Sequence, residues 1–175
     1  MDIKNKILCV AERVFDQEGF NATGMGRLIR ETGLSSRTVY KHVRSKNALM
    51  ALVLKERQQR FFKSMDFSTL ETLFDALHAW SAKDGMRGCL YFRVGAETSG
   101  NIPEIHTAVE AYHIQLVKAL TDLIHREAGQ PDELMTEQLL VLFEGAVTAS
   151  TYRGATAIEA ARLSARRLLQ PEAEL

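Results

Sequence analysis

Apolar residues recur along this chain at helical spacing. Ile3, Ile7, Val10 and Val14 step by 4, 3 and 4, one stripe of an amphipathic helix, and Gly19 is placed to stop it as a left-handed cap. Two short helical pieces follow. Thr23 is a plausible N-cap for a helix over 25–32, whose apolar positions are Met25, Leu28 and Ile29, and Gly33-Leu34-Ser35 interrupts it. Ser35 can cap a helix from Ser36 to about Val43, and Ser45 a long one that begins at Lys46. Two short helices joined by a tight glycine-containing turn make a helix-turn-helix. After residue 65 the pattern stays helical. Ser68-Thr69-Leu70-Glu71 reads as a capping box ahead of Leu73, Phe74 and Leu77. A break at Asp84-Gly85 precedes a shorter segment over 87–97, and 99–103 is a loop. Ile105, Val109, Tyr112, Leu116, Leu120 and Leu123 form the clearest stripe of this half, ended by Gly129-Gln130-Pro131. Helices over 132–152 and 156–169 close the pattern, with Arg153-Gly154-Ala155 between them.

Composition supports an all-helical chain. The 175 residues include 21 Leu and 20 Ala against 10 Val and 8 Ile, and no proline precedes Pro103, a balance that favours helix over strand. The longest apolar run, 48–54, is seven residues, against the roughly 20 needed to span a bilayer. The run at 7–11 is too short for a secretory segment, so a cytoplasmic location is expected. Two cysteines make neither a disulfide framework nor a Cys-x-x-Cys pair.

The charge balance changes the picture once it is divided. Lys and Arg total 22, as do Asp and Glu, which excludes a uniformly basic coat protein. Residues 1–55, however, carry ten basic against five acidic side chains, and the remainder twelve against seventeen. A basic first third on an acidic body points to a polyanion-binding unit joined to a part with another task. Within that third, a helix over 36–43 puts Val39 and Val43 inward and Ser36, Arg37, Tyr40, Lys41 and Arg44 on the opposite face. Arg37 can fork onto guanine acceptors in a major groove, Ser36 and Thr38 can reach base edges or phosphates, and Tyr40 can donate to a phosphate. Lys46 opens the next helix, where the dipole already attracts a phosphate.

The run Ala11-x-x-x-Phe15-x-x-x-Gly19-Phe20, followed by Gly33-Leu34-Ser35-x-x-Thr38-Val39-Tyr40-x-His42-Val43-x-x-Lys46-x-x-Leu49, resembles the DNA-binding domain of TetR-family transcriptional regulators. The match covers about the first 55 residues. It implies an all-α homodimer of about nine helices per chain: an N-terminal helix-turn-helix DNA-binding domain, 1–45, and a helical effector-binding and dimerisation domain, 46–175. By the same resemblance Ser36, Arg37, Thr38, Tyr40 and His42 would face a double-stranded, palindromic operator, Lys46 would meet a phosphate, and Thr23, at the start of the supporting helix, would be a further DNA contact. The chain departs from the pattern in having Val43 where the family usually has Phe, no threonine after Thr23 at that helix start, and Ile29 and Thr32 where alanine is common.

Candidates elsewhere are less specific. Phe61, Phe62, Trp80, Cys89, Tyr91, Phe92, Tyr112 and Phe143 lie in segments that would enclose an effector pocket, an apolar cavity with a few polar groups. Small residues crowd the last two helices. Ala146, Ala149 and Ser150, then Ile158, Ala161, Ala165 and Leu168, suit close helix approach at a dimer interface, although a hairpin within one subunit would look the same. Cys89 beside Arg87 is either a buried small hydrophobe or a redox or electrophile sensor. His106, Glu110 and His113 share a helical face but lack a fourth ligand, so no metal is assigned. There is no Gly-x-Ser-x-Gly and no Walker-type loop, so no enzyme and no cofactor are expected. The expected function is a DNA-binding regulator, a repressor released by a small-molecule effector. A Cys89-centred thiol sensor and a helical protein-binding module are the alternatives.

Overall fold

Caps and glycines set the element borders. The structure, a computed structural model, describes residues 2–84 and 87–169. Among them are nine helices: α1 Ile3–Glu18, α2 Met25–Thr32, α3 Ser36–His42, α4 Lys46–Ser64, α5 Leu70–Asp84, α6 Leu90–Thr98, α7 Pro103–Ala128, α8 Glu133–Arg153 and α9 Ala155–Leu169. The all-α class expected from the sequence is what the chain adopts. Gly85, in the expected break after α5, lies outside the described residues.

Several caps differ from the sequence reading. Gly19 does end α1, but at φ 86 and ψ 158, outside the left-handed helical well and in a region only glycine enters freely. Gly33 is the left-handed cap, at φ 65 and ψ 17. Thr23 is not the cap of α2: that position is Gly24, with no side-chain bond. The expected capping box shifts by one residue. Thr69 Oγ1 accepts from Thr72 N at 3.1 Å and Thr72 Oγ1 accepts from Thr69 N at 3.1 Å, so two threonines satisfy both orphan donors. Glu71 turns away to Arg162 and Arg166 on α9.

The chain divides into two compact units, one of residues 1–59 with 90–112 and the other of 60–89 with 113–175. Continuous helices cross that division twice, because α4 and α7 each supply residues to both units. The expected functional border at 45/46 falls inside the first unit, since Leu49, Met50, Val53 and Leu54 in the first half of α4 are buried in the core of that unit. That core includes Ile7, Val14, Phe15, Phe20, Leu28, Val39, Leu49, Val53, Tyr91 and Ile105. In the second unit α9 packs on α8 and α5, around Leu73, Phe74, Leu120, Phe143, Ile158 and Ala165. Burying a Leu- or Phe-sized side chain stabilises by roughly 1.5–3 kcal/mol. Among the described residues no helix is long and apolar enough to cross a membrane.

Candidate nucleic-acid interface

The turn between α2 and α3 is held by short side chains that bond their own backbone. Thr32 Oγ1 donates to Ile29 O at 2.8 Å and accepts from Leu34 N at 3.2 Å. Ser35 Oγ accepts from Thr38 N at 3.1 Å and lies 2.8 Å from Thr38 Oγ1. These bonds fix the first turn of α3, and Val39 and Val43 anchor its inner side in the core. The outer side is thereby determined. Ser36, Arg37, Lys41 and Arg44 are exposed, Thr38 and His42 half-buried, and Tyr40 is 49% exposed although large and aromatic.

Electrostatics sharpen this face. Four of the five acids in the first 55 residues are paired with arginines elsewhere. Glu31 binds Arg13 and Arg27, both at 2.6 Å, and Glu18 binds Arg27 at 3.0 Å. The hydrogen bond from Arg13 and the charge of Arg27 hold the Glu31 carboxyl below its ordinary range. Glu12 accepts from Arg57 at 2.7 Å. Burial alone would lower the Arg57 pKa, but the bond and charge of Glu12, aided by Asp16, carry it upward. Asp16 pairs with Arg93 of α6. By contrast Arg37, Lys41 and Arg44 have no ionic partner among the described residues. Three of the eight cations of this third that no acid pairs are therefore Arg37, Lys41 and Arg44 on α3 and its C-terminal edge, charges that a phosphate-binding surface requires.

Two predicted contact residues are placed differently. Thr23 is 0% exposed and its hydroxyl donates to Gly19 O at 2.6 Å; it holds the turn after α1, and its buried side chain offers nothing to a ligand. Lys46 donates to Phe20 O at 3.0 Å and sits 4.2 Å above the Phe20 ring. One of its three N–H groups is thus used in joining α4 to the end of α1. The sequence reading missed the α6 contacts to this unit. Arg93 Nη1 donates to Asp16 O at 3.0 Å, Glu97 accepts from Asn21 N at 2.7 Å, and Asn21 Nδ2 donates to Glu97 O at 2.8 Å. Helical spacing puts Arg93 and Glu97 on one face of α6, but nothing local shows that the face meets α1.

The expected pocket residues are divided between the two units, Tyr91, Phe92 and Tyr112 in the first and the others in the second. Phe61 makes edge contacts with Phe62 and Trp80 at centroid distances of 5.2 and 5.3 Å, and with Phe143 at 6.4 Å. Tyr112 belongs to the first unit and stacks on Tyr91 at 3.8 Å, whose hydroxyl donates to Leu54 O at 2.9 Å. Phe92 is 65% exposed, because its neighbours Tyr91 and Val94 take the inward side of α6. Cys89 is half-buried and Cys9 exposed. The proposed interface residues Ala146, Ser150, Ile158, Ala161 and Ala165 are buried within this chain, in the contact of α9 with α8 and α5, while Ala149 and Leu168 are half-buried. The hairpin reading accounts for those five. Among the described residues no group of three or more His, Cys, Asp or Glu could hold a metal; His113 lies 3.8 Å from Glu144.

An exposed cationic helix held against a second by a glycine turn defines the helix-turn-helix of DNA-binding regulators. Residues 7–53 match the family model of bacterial regulatory proteins, tetR family. Similar solved structures agree over the full length. A TetR-family transcriptional regulator of Streptomyces coelicolor superposes with a TM-score of 0.84 at 21% identity, over 98% of this chain and 96% of that one. A TetR regulator of Legionella pneumophila gives 0.79 at 18%, over 95% and 97%, and reduced NemR of E. coli gives 0.75 at 19%, over 95% and 96%. The fold of the whole chain is that of TetR-family transcriptional regulators. No curated protein sequence matches the chain significantly.

Proposed function

We propose that this protein is a cytoplasmic, homodimeric transcriptional repressor that leaves its operator when a small molecule binds the helical body. The unpaired cationic face of α3, formed by Arg37, Lys41 and Arg44 beside exposed Tyr40, carries the reading. Ser36, Arg37, Thr38, Tyr40 and His42 read one half-site, while Lys46 supports them at the start of α4. Residues 1–45 are the DNA-reading part and the rest serves effector and dimer.

The dimer is supported by what stays uncovered on α8. Leu134, Val141 and Tyr152 are spaced by 7 and 11 along one face, Val141 is 69% and Tyr152 75% exposed, and Leu163 of α9 is exposed too. Beside them Gly145, Ala149, Ala157 and Ala160 line an open groove. Large exposed apolar side chains around small ones suit a two-fold helical interface, which would present two copies of α3 to a palindrome. The effector site is assigned beside Phe61, Trp80 and Phe143. An effector works only if it prefers one arrangement over the other.

The test is DNA footprinting on the region flanking its own gene, followed by binding measurements on the fragment found. Protection of a palindrome by the parent, and its loss with Arg37→Ala and Tyr40→Phe proteins that stay folded and dimeric, supports the assignment. Unchanged protection with both variants overturns it.

A further inference from the structure

A cavity of about 590 Å³ opens within the first unit, between the end of α3, one face of α4 and the first turns of α7. It exists because two helical stripes face each other across small side chains. Ala48, Ala51 and Leu52 line it from α4 and Ala108 and Ala111 from α7, with Val43 at the α3 end. Each stripe follows helical 3-and-4 spacing, which would ordinarily let ridges fill grooves. Four alanines instead leave a channel of the size that holds small ligands.

Its polar groups are unevenly charged. Arg44 and Lys55 line it without ionic partners among the described residues, Glu104 is the one carboxylate, and Gln58 donates across to Ala111 O at 3.3 Å. An apolar wall with two uncompensated cations at its rim complements an apolar chain that ends in a single negative charge.

We propose that this cavity is a second small-molecule site, for an amphiphilic monoanion whose chain lies along the alanine wall and whose carboxylate meets Lys55 and Arg44. His42 and Arg44 belong both to this cavity and to the edge of α3. A bound carboxylate therefore withdraws the Arg44 charge from DNA, so ligand and DNA compete, a consequence that rests on the recognition-helix reading, whereas binding itself does not.

Calorimetry of the full chain with sodium octanoate, below micelle formation and without DNA, tests the site. One saturable site is expected, weakened about tenfold in Lys55→Gln, as loss of a bond to a charged group implies, and lost in Ala108→Phe, which fills the channel. Octylammonium is expected to bind at least about tenfold more weakly, since it meets Lys55 and Arg44 with like charge. Absence of saturable binding, equal binding of octylammonium, or unchanged octanoate binding in both variants overturns the proposal. If Ala108→Phe loses its helical circular dichroism, the exposed Lys55→Gln and the octylammonium comparison still decide. DNA anisotropy then checks the competition: saturating octanoate weakens DNA binding by the parent and leaves Ala108→Phe unaffected, whereas equal loss in both overturns it.

Discussion

Arg37 and Thr23 illustrate how differently two polar residues of one motif are used. Arg37 is exposed and lacks an ionic partner, so truncating it leaves no buried group unsatisfied. Arg37→Ala is expected to unfold at the parent's temperature yet weaken operator binding by about 1–3 kcal/mol if the guanidinium forks onto a base, as fluorescence anisotropy would read. Thr23 is the opposite case. Its buried hydroxyl bonds the Gly19 carbonyl, so Thr23→Val should cost about 1 kcal/mol of stability in urea unfolding, with operator affinity per folded molecule unchanged. Sequence revealed the exposed positions of α3 through periodicity and residue type. It could not reveal that Thr23 turns inward, because a threonine before a glycine serves as cap or buried donor according to where the preceding helix ends.

At the scale of elements, caps and ion pairs decide how firmly the reader and the body helices are held. Ser35→Ala removes the acceptor for Thr38 N and should lower stability by about 1 kcal/mol while fraying the first turn of α3; hydrogen exchange at Thr38 would report it. In the second unit the hydrogen bond of Arg166 and the charges of Arg166 and Arg162 lower the Glu71 pKa. A carboxyl whose folded pKa is depressed contributes stability above its unfolded value, and that contribution fades as pH falls through the folded value. The stability gap between parent and Glu71→Gln should thus be present at neutral pH, shrink below about pH 4.3 and close at lower pH. Because Glu71 is 42% exposed, the gap should stay under about 1 kcal/mol and diminish with salt. Helix positions were legible in the sequence to within a few residues. The shifted capping box was not, since Glu71 could choose the first-turn amides or the arginines of α9, and only packing brings those arginines near.

For the whole molecule, the division of charge gains a physical basis. Four of the five acids of the first third are absorbed by Arg13, Arg27, Arg57 and Arg93, which leaves α3 positive, so DNA binding is expected to be steeply salt-dependent. If the uncovered α8 face is the dimer interface, Val141→Glu should yield folded monomer by light scattering and lose operator binding, as two half-sites are then read singly; a dimer of unchanged affinity would place the interface elsewhere. By itself the sequence determined the helical class, the helix-turn-helix and the face of α3, because each follows from local periodicity, capping and residue type over fewer than a dozen positions. Only the tertiary structure decided which small residues are spent inside the α8–α9 hairpin, that Tyr112 stacks on Tyr91, and that Arg93 and Glu97 hold Asp16 and Asn21. Those outcomes depend on which faces meet across tens of residues, and helical periodicity names a face without naming its partner.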